Sequence, residues 1–428
     1  AFGQSLTNQL VIGGNGDDNI QLHNLKDGSG YYLFGSSTSN LSGSKSENLK
    51  GTADYWLVKT DNQFNILWDK SIGGTNFNGA WDALPHDNGV YIIGTSNSNA
   101  SGDKTMDSYG DEDIWLLNVS HEGHINWQAQ YGGDMYELYP RVIDFTDTSL
   151  LVVSCSASGV SGNKTVASKG SVDIWLLEVS KIDGRIVQQR VYGTEGPDVF
   201  TNIARNPYNN HLYMSAVTVG GISGDKSEYG YGVEDVWIVE LDEELNIVRE
   251  KVFGGSSLER SPGSFLFVGE HIYIPIPSPS GVSGNKTTPS YNALGSLTDL
   301  WLLKLNSELD IVWDKSYGGN NSETLGGLFA LPNGNLVLTA NSKSIVTSAG
   351  NLTTPTFGVT YSDVWMVVLT DDGDIIYQER FGGSLDDYGI LHIGNNNEYV
   401  LCTYSNSGIS GVKTVPSFGG SDAWIGTI

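Results

Sequence analysis

The chain has 428 residues, 49 acids against 23 bases for a formal net charge of −26, and 54 glycines. That charge argues against a phosphate-backbone partner, because nucleic-acid binding needs a basic patch. No apolar run reaches the length of a membrane-spanning helix; Ser149–Val153 and Ile272–Ile276 are strand-length pieces.

At the start, Ala1-Phe2-Gly3-Gln4 places small residues at −3 and −1 of a cut before Gln4, the pattern of a processed signal peptide. The expected location is therefore extracellular, cell-surface or periplasmic. Residues 8–14, Asn-Gln-Leu-Val-Ile-Gly-Gly, read as an isolated strand with no partner nearby in sequence. Then comes Asp54-Tyr55-Trp56, the first of seven Asp-x-Trp segments, each followed by alternating apolar residues. The others start at Asp113, Asp173, Asp235, Asp299, Asp363 and Asp422 and place Trp115, Trp175, Trp237, Trp301, Trp365 and Trp424 two residues on, at spacings of 59 to 64 residues. A fixed period of this size marks a repeat architecture rather than two or three separate domains.

The second repeat shows the unit. Asn78–Asp87 is a first strand, closed by an Asp87-Asn88-Gly89 turn, and Val90–Ser96 is a second. A long polar loop over 97–112 leads to a third strand, Asp113–Val119, and after a His121-Glu122-Gly123 turn Ile125–Tyr131 forms the fourth, ending at Gly132-Gly133. Short strands bounded by Gly, Asn and Asp turns predict an all-β fold. One four-stranded antiparallel sheet cannot bury both faces, but seven arranged radially can, as a seven-bladed β-propeller. The blades are expected at about 15–74, 75–133, 134–194, 195–255, 256–319, 320–383 and 384–428. The chain stops at Asp422–Ile428, a third strand, so residues 8–14 are expected to complete the last blade and remove its open edge. Cys155 and Cys402 fall in equivalent places of repeats three and seven, too far apart around a ring for a disulfide, and are expected as free buried thiols.

The run of Asp-x-Trp, alternating apolar residues, a Gly-containing turn, Tyr/Phe-Gly-Gly, acids and a Gly-Tyr-type strand resembles the bacterial seven-bladed β-propeller repeat (SBBP type) over nearly the whole chain. The resemblance implies an exported or surface protein, often part of a larger modular chain. It carries no particular activity.

A second motif recurs in the strand two–three loops: Ser42-Gly43-Ser44-Lys45 and its counterparts ending in Lys104, Lys164, Lys226, Lys286 and Lys413. Repeat six has Ser348-Ala349-Gly350-Asn351-Leu352 instead. Near each Gly-Gly lies Asp18, Asn78, Glu137, Asp198, Glu259, Glu323 or Asp387. The lysines, these acids and the Asp-x-Trp aspartates are expected to form ion pairs that pin each loop, a scaffold role that suits repetition in nearly every blade. Asp17-Asp18, Asp386-Asp387 and Asp371-Asp372 with Asp374 offer hard oxygen ligands for Ca²⁺, without EF-hand spacing. No other cofactor is implied. The seven histidines are expected as solvated turn residues, and His121-x-x-His124 lacks the helical geometry of a zinc pair.

Departures from the repeat carry the functional expectation. Trp81, Tyr139, Arg141, Phe200, Arg260 and Tyr388 fall at the starts of inner strands, near the channel mouth, where aromatics plus arginine suit a sugar ring or a peptide side chain. The long loops of repeats five and six, 286–298 and 345–362, add Tyr291, Phe357 and Tyr361 as candidate anchors. The expected function is a non-catalytic exported module binding a protein or glycan at the cell envelope. The alternative is a polysaccharide lyase or hydrolase using Tyr139, Arg141, Arg260 and Glu259.

Overall fold

The computed structural model describes residues 6–292, 296–346, 350–358, 360–395 and 397–428. They form seven four-stranded antiparallel sheets, a seven-bladed β-propeller. In six blades the strands run from channel to periphery in chain order. Blade two, for example, is Asn78–His86, Gly89–Ser96, Asp113–Ser120 and Ile125–Tyr131. Blade seven takes its outermost strand, Thr7–Ile12, from the other end of the chain, with Leu10 opposite Ile425, Val11 opposite Trp424 and Ile12 opposite Ala423.

The third strand of each blade is buried on both faces, which is why it reads as a nearly unbroken apolar run rather than an alternation. All seven Asp-x-Trp tryptophans are fully buried. A buried indole still needs a hydrogen-bond acceptor. The outermost strand supplies one in every blade: Trp56, Trp115, Trp175, Trp301 and Trp365 donate to Asp69, Gln128, Gln189, Asp314 and Gln378 at 2.8–3.2 Å, and Trp237 donates to Glu250. In blade seven the acceptor is Gln9, whose Oε1 also takes the Thr414 amide. The terminal strand thus closes the ring with the same side-chain chemistry as the other six.

Blade five departs from the pattern. Its innermost strand is reduced to Leu266–Val268. The neighbouring strand, His271–Ser278, carries Pro275 and Pro277, which offer no N–H to the inner segment. Both carbonyls still accept, from Gly263 and Arg260, so residues 260–264 follow the wall without completing a ladder. Cys155 and Cys402 are buried free thiols.

Candidate functional site

The Ser-Gly-x-Lys turns sit on the seams between blades. In Ser101-Gly102-Asp103-Lys104 the Asp103 amide donates to the Gly73 carbonyl of the preceding blade, and its carboxylate accepts the Gly73 amide at 3.1 Å. Asn163, Asp225, Asn285 and Asn351 make the same two-way contact with Gly132, Gly193, Gly254 and Gly318. Gly102 has a φ of 58°, and a Cβ there would lie 2.3 Å from the Gly73 oxygen, so no other residue fits.

The repeated lysines are buried as a scaffold role requires, but they do not form the expected ion pairs. Lys164 donates to Ser156 Oγ, the Ser158 carbonyl and Ser168 Oγ at 2.7–3.0 Å; Lys413 holds Ser405, Ser407 and Ser417 in the same way. Lys104 binds the Ser98 carbonyl and Ser108, Lys226 the Gly220 carbonyl, and Lys286 Thr288 and Ser316. Four ammonium groups lie 5.5–5.8 Å above the Trp56, Trp175, Trp301 and Trp424 rings. A serine hydroxyl stands between cation and acid: Ser156 accepts from Lys164 while donating to Glu137 at 2.7 Å. Burial lowers the lysine pKa values, those of Lys104 and Lys286 to about 8.

Blade six keeps its cation by another route. Leu352 occupies the lysine's place in the core, and Arg380 reaches in from the outermost strand to the Ser344 carbonyl and Ser342 Oγ, both at 3.1 Å. These are the counterparts of Ser158 and Ser156. The lost lysine is therefore a compensated substitution. The signal in sequence was Arg380 itself, at a position that is Ser71, Gln130, Val191, Val252, Ser316 or Val11 in the other blades.

Tyr291 and Phe357 belong to the same scaffold. Their amides donate to Asp299 and Asp363, as those of Lys50, Tyr109, Lys169, Tyr231 and Phe418 do to their own Asp-x-Trp carboxylates. The Phe357 ring covers Gly411 of the next blade, and Tyr291 reaches Asn351. Tyr361 is exposed beside Gly358. Residues 293–295, 347–349 and 359 of the expected loop patch lie outside the described residues.

The channel has a volume of about 940 Å³. Blades five to seven bring Gly263, Gly326, Gly327 and Gly389 to it among the side chains of Leu325, Leu328, Phe329, Tyr388 and His392. Blades one to three present His23, Asp82 and Arg141. β-Bulges in blades two and three re-aim Trp81 and Tyr139. Their rings meet edge to face at 5.0 Å. Arg141 donates to the Trp81 carbonyl at 3.2 Å and lies 3.7 Å from Asp82, while Trp81 Nε1 donates to Thr95 at 3.4 Å. Tyr139 is 44% exposed and has a φ of 57°, a strained value for a tyrosine.

The other mouth candidates are not brought to this cluster. Arg260 is exposed on blade five, 3.9 Å from Glu234, and Glu259 is sealed in a seam under Ser278 and Ser280. Phe200 is a core residue, because the blade-four strand turns it inward. Tyr388 stacks on Tyr404 at 5.3 Å in the wall.

His124 is exposed in its turn as expected, but other histidines are packed. His121 Nδ1 accepts from Tyr32 of blade one while Nε2 donates to the Asp87 carbonyl, and His86 stacks on Tyr91 at 4.4 Å. Burial, with His23 nearby, holds His392 down to about 3. Asp371 is engaged by Lys304 and Tyr273, and Asp374 by Lys315. Among the described residues no group of three His, Cys, Asp or Glu side chains is placed to hold a metal ion.

The rim on the loop side exposes one aliphatic residue per turn in six blades, just before the Ser-Gly pair. Leu41, Val160, Ile222, Val282 and Ile409 are 48–67% exposed, and Ala100 is exposed in blade two. Asp134 and Glu195 stand exposed beside the turns of Val160 and Ile222.

No family model matches the chain, and no curated protein matches it. Solved structures similar to it include a protein of unknown function from Dyadobacter fermentans DSM 18053, with 10% identity, coverage of 99% of this chain and 98% of that one, and a TM-score of 0.49. The Pan2 WD40 domain of Neurospora crassa gives 9%, 97%, 89% and 0.48, and Sqt1 from Chaetomium thermophilum gives 12%, 99%, 90% and 0.47. Likeness at this level carries no functional argument.

Proposed function

We propose that this propeller is a non-catalytic, exported binding module of the bacterial cell envelope or surface, and that it docks a protein partner on its loop-side rim. The crown of exposed aliphatic residues carries the proposal. These side chains recur at one position yet contribute little to the core; Leu67, Val187, Val248, Val312 and Ile376 are likewise exposed, but on the outermost strands rather than on the loop-side rim. Single exposed aliphatics need no explanation, but a ring of them on one face is an interaction surface. With Asp134 and Glu195 beside them, they suit a partner that combines apolar and basic groups. The resemblance to SBBP-type repeats supports export and surface location.

The test replaces Val160, Val282 and Ile409 together by Asn. The variant should fold as the parent does and lose a partner that the parent retains from its native envelope fraction. A folded variant that keeps the partner overturns the rim assignment. A second interaction is supported by the Trp81–Tyr139–Arg141–Asp82 cluster, which offers an aromatic edge beside a guanidinium–carboxylate pair, a combination suited to a sugar ring. Glycan-array binding lost in Trp81→Ala and kept in the rim variant would assign the two surfaces separately.

A further inference from the structure

The seams hold an electrostatic problem that the rim and channel do not explain. At six of the seven, the Asp-x-Trp carboxyl of one blade faces an acid at the start of the next blade's inner segment: Asp422 with Asp18, Asp113 with Glu137, Asp173 with Asp198, Asp235 with Glu259, Asp299 with Glu323, and Asp363 with Asp387. All twelve side chains are at most 2% exposed. In four of the pairs the closeness is fixed by glycine. A Cβ on Gly132 would lie 1.8 Å from Asp113 Oδ1 and 2.8 Å from Glu137 Oε2; on Gly318 it would lie 2.1 Å from Asp299 Oδ1 and 2.5 Å from Glu323 Oε2. Gly193 and Gly254 bring their pairs together in the same way.

Every Asp-x-Trp Oδ1 is buried without a hydrogen-bond partner, although Oδ2 of the same carboxyl accepts backbone amides. Oxygens of Asp18, Asp198, Glu259 and Asp387 are also left without partners. Asp235 Oδ1 and Glu259 Oε2, both unpartnered, face one another with no donor between them, whereas the facing Glu137 Oε2, Glu323 Oε2 and Asp198 Oδ2 each accept a backbone amide and meet an unpartnered Oδ1.

We propose that each of these six seams binds one proton, shared between its two carboxyls, so that the ring is held together by six carboxyl–carboxylate hydrogen bonds.

Three independent observations support it. The first is charge. The seams bury seven Asp-x-Trp aspartates and six further acids against Lys45, Lys104, Lys164, Lys226, Lys286, Lys413 and Arg380. The excess of negative groups is six, one per pair, and a buried excess charge is costly unless neutralised. The second is the seventh seam, where Asp54 faces Asn78. The Asn78 amide nitrogen lies 3.0 Å from the Gly73 Cβ position, where the Gly132 seam puts Glu137 Oε2. An uncharged amide stands there in place of an acid and donates to the Ala53, Gly74 and Asn76 carbonyls rather than to Asp54 Oδ1, and Asp54 against Lys45 already balances. The third is ligand number. A hard cation needs about six or more oxygens, and each seam offers two carboxyls in space that excludes even a methyl group.

The charged and titratable groups facing the Asp299–Glu323 pair are Lys286 from blade five and Arg380 from blade six, with Tyr291 alongside. For Asp113–Glu137 they are Lys104 and Lys164. Burial raises Asp113 to about 6, Asp363 to about 7 and Glu323 to about 8, and the facing acid adds to each shift. These folded-state values lie above the unfolded ones, so the native ring binds more protons than the unfolded chain from about pH 4 upward. The acids therefore make stability fall as pH rises toward 6–8, while His86 and His392, depressed by burial, act in the opposite sense below about 6.5. Above about 8 the depressed Lys104 and Lys286 give up protons that the unfolded chain keeps, which opposes any further fall.

The experiment measures urea unfolding of the whole chain at closely spaced pH values from 5 to 8. The unfolding constant should rise with pH by up to tenfold per unit for each proton held. Glu323→Gln should make the rise shallower by one proton, and Asn78→Asp, which creates a seventh pair, should make it steeper by one. A parent whose stability is flat or increases over this range overturns the proposal, as does an unchanged slope in both variants. A midpoint raised by Ca²⁺ and lowered by a chelator at constant pH would show that the pairs bridge a cation instead. Should a variant fail to fold, infrared spectroscopy of the parent decides: protonated-carboxyl absorption at pH 7 is expected, and its absence refutes the shared protons.

Discussion

The seams and the channel mouth are built from the same strands by opposite rules. At a seam, each blade repeats one set of groups: a Ser-Gly turn, a buried cation, an indole with its outer-strand acceptor, and a carboxyl beside glycine. At the mouth the blades diverge. Bulges in blades two, three and four present different side chains, prolines shorten blade five, and glycines enter blade six. Repetition here marks what holds the ring together, and uncompensated departure marks where we propose that a ligand is met. The word uncompensated matters, because blade six departs in its loop yet restores its cation with Arg380.

Breaking the seam side should have the largest effects. Removal of residues 1–12 takes away the outer strand of blade seven and the Gln9 acceptor of Trp424. It also exposes a long unpaired edge. The loss should exceed the ~4–5 kcal/mol of a severe single substitution, visible as insoluble or molten product in expression and circular dichroism. Next comes the seam cation of blade six. Arg380→Gln leaves Asp363 and Glu323 without their positive neighbour and should cost about 3–5 kcal/mol in chemical denaturation. Adding Leu352→Lys in that background recreates the standard blade and should recover much of the loss. No recovery would mean that the lysine pocket needs more than a cation.

Glycine gives a sharper contrast between two positions. Gly132→Ala drives a methyl group to 1.8 Å from Asp113 Oδ1, whereas a Cβ at Gly159 meets nothing within 4 Å. The first substitution should destabilise by at least ~1–3 kcal/mol, and the second should be neutral or stabilising by up to ~1 kcal/mol. Thermal melts of the two proteins side by side check both.

The fold was legible because its signals are local and periodic. Asp-x-Trp every 59–64 residues sets blade number, and the orphan segment at 8–14 announces the closure. The seam chemistry was legible only in part. Spacing brings Lys164 and Glu137 to one region, but no spacing shows that Ser156 stands between them. Nor could it show that Arg380, on another strand, replaces a lysine missing from a loop. Phe200 and Tyr291 were assigned by position along a strand or loop. Whether a side chain points to core, seam or lumen depends on bulges, and a one-residue bulge reverses it.

The smallest expected effect on stability is also the one that isolates function. Tyr139 holds a left-handed backbone conformation, at a φ of 57°, while its side chain is 44% exposed. Such a conformation costs a non-glycine residue about 1–2 kcal/mol, and the ring recovers little of that by burial. Among the described residues its aromatic contact is edge to face with Trp81. Tyr139→Gly removes ring and strain together, so stability should be unchanged or rise by up to ~1 kcal/mol. If the ring is there to meet a ligand, binding at the channel mouth should fall by at least tenfold in the same protein. Tyr139→Ala should lose binding equally but keep the strain. A glycine variant that is clearly destabilised would show that the ring packs for structure, and the mouth would then join the seams as scaffold.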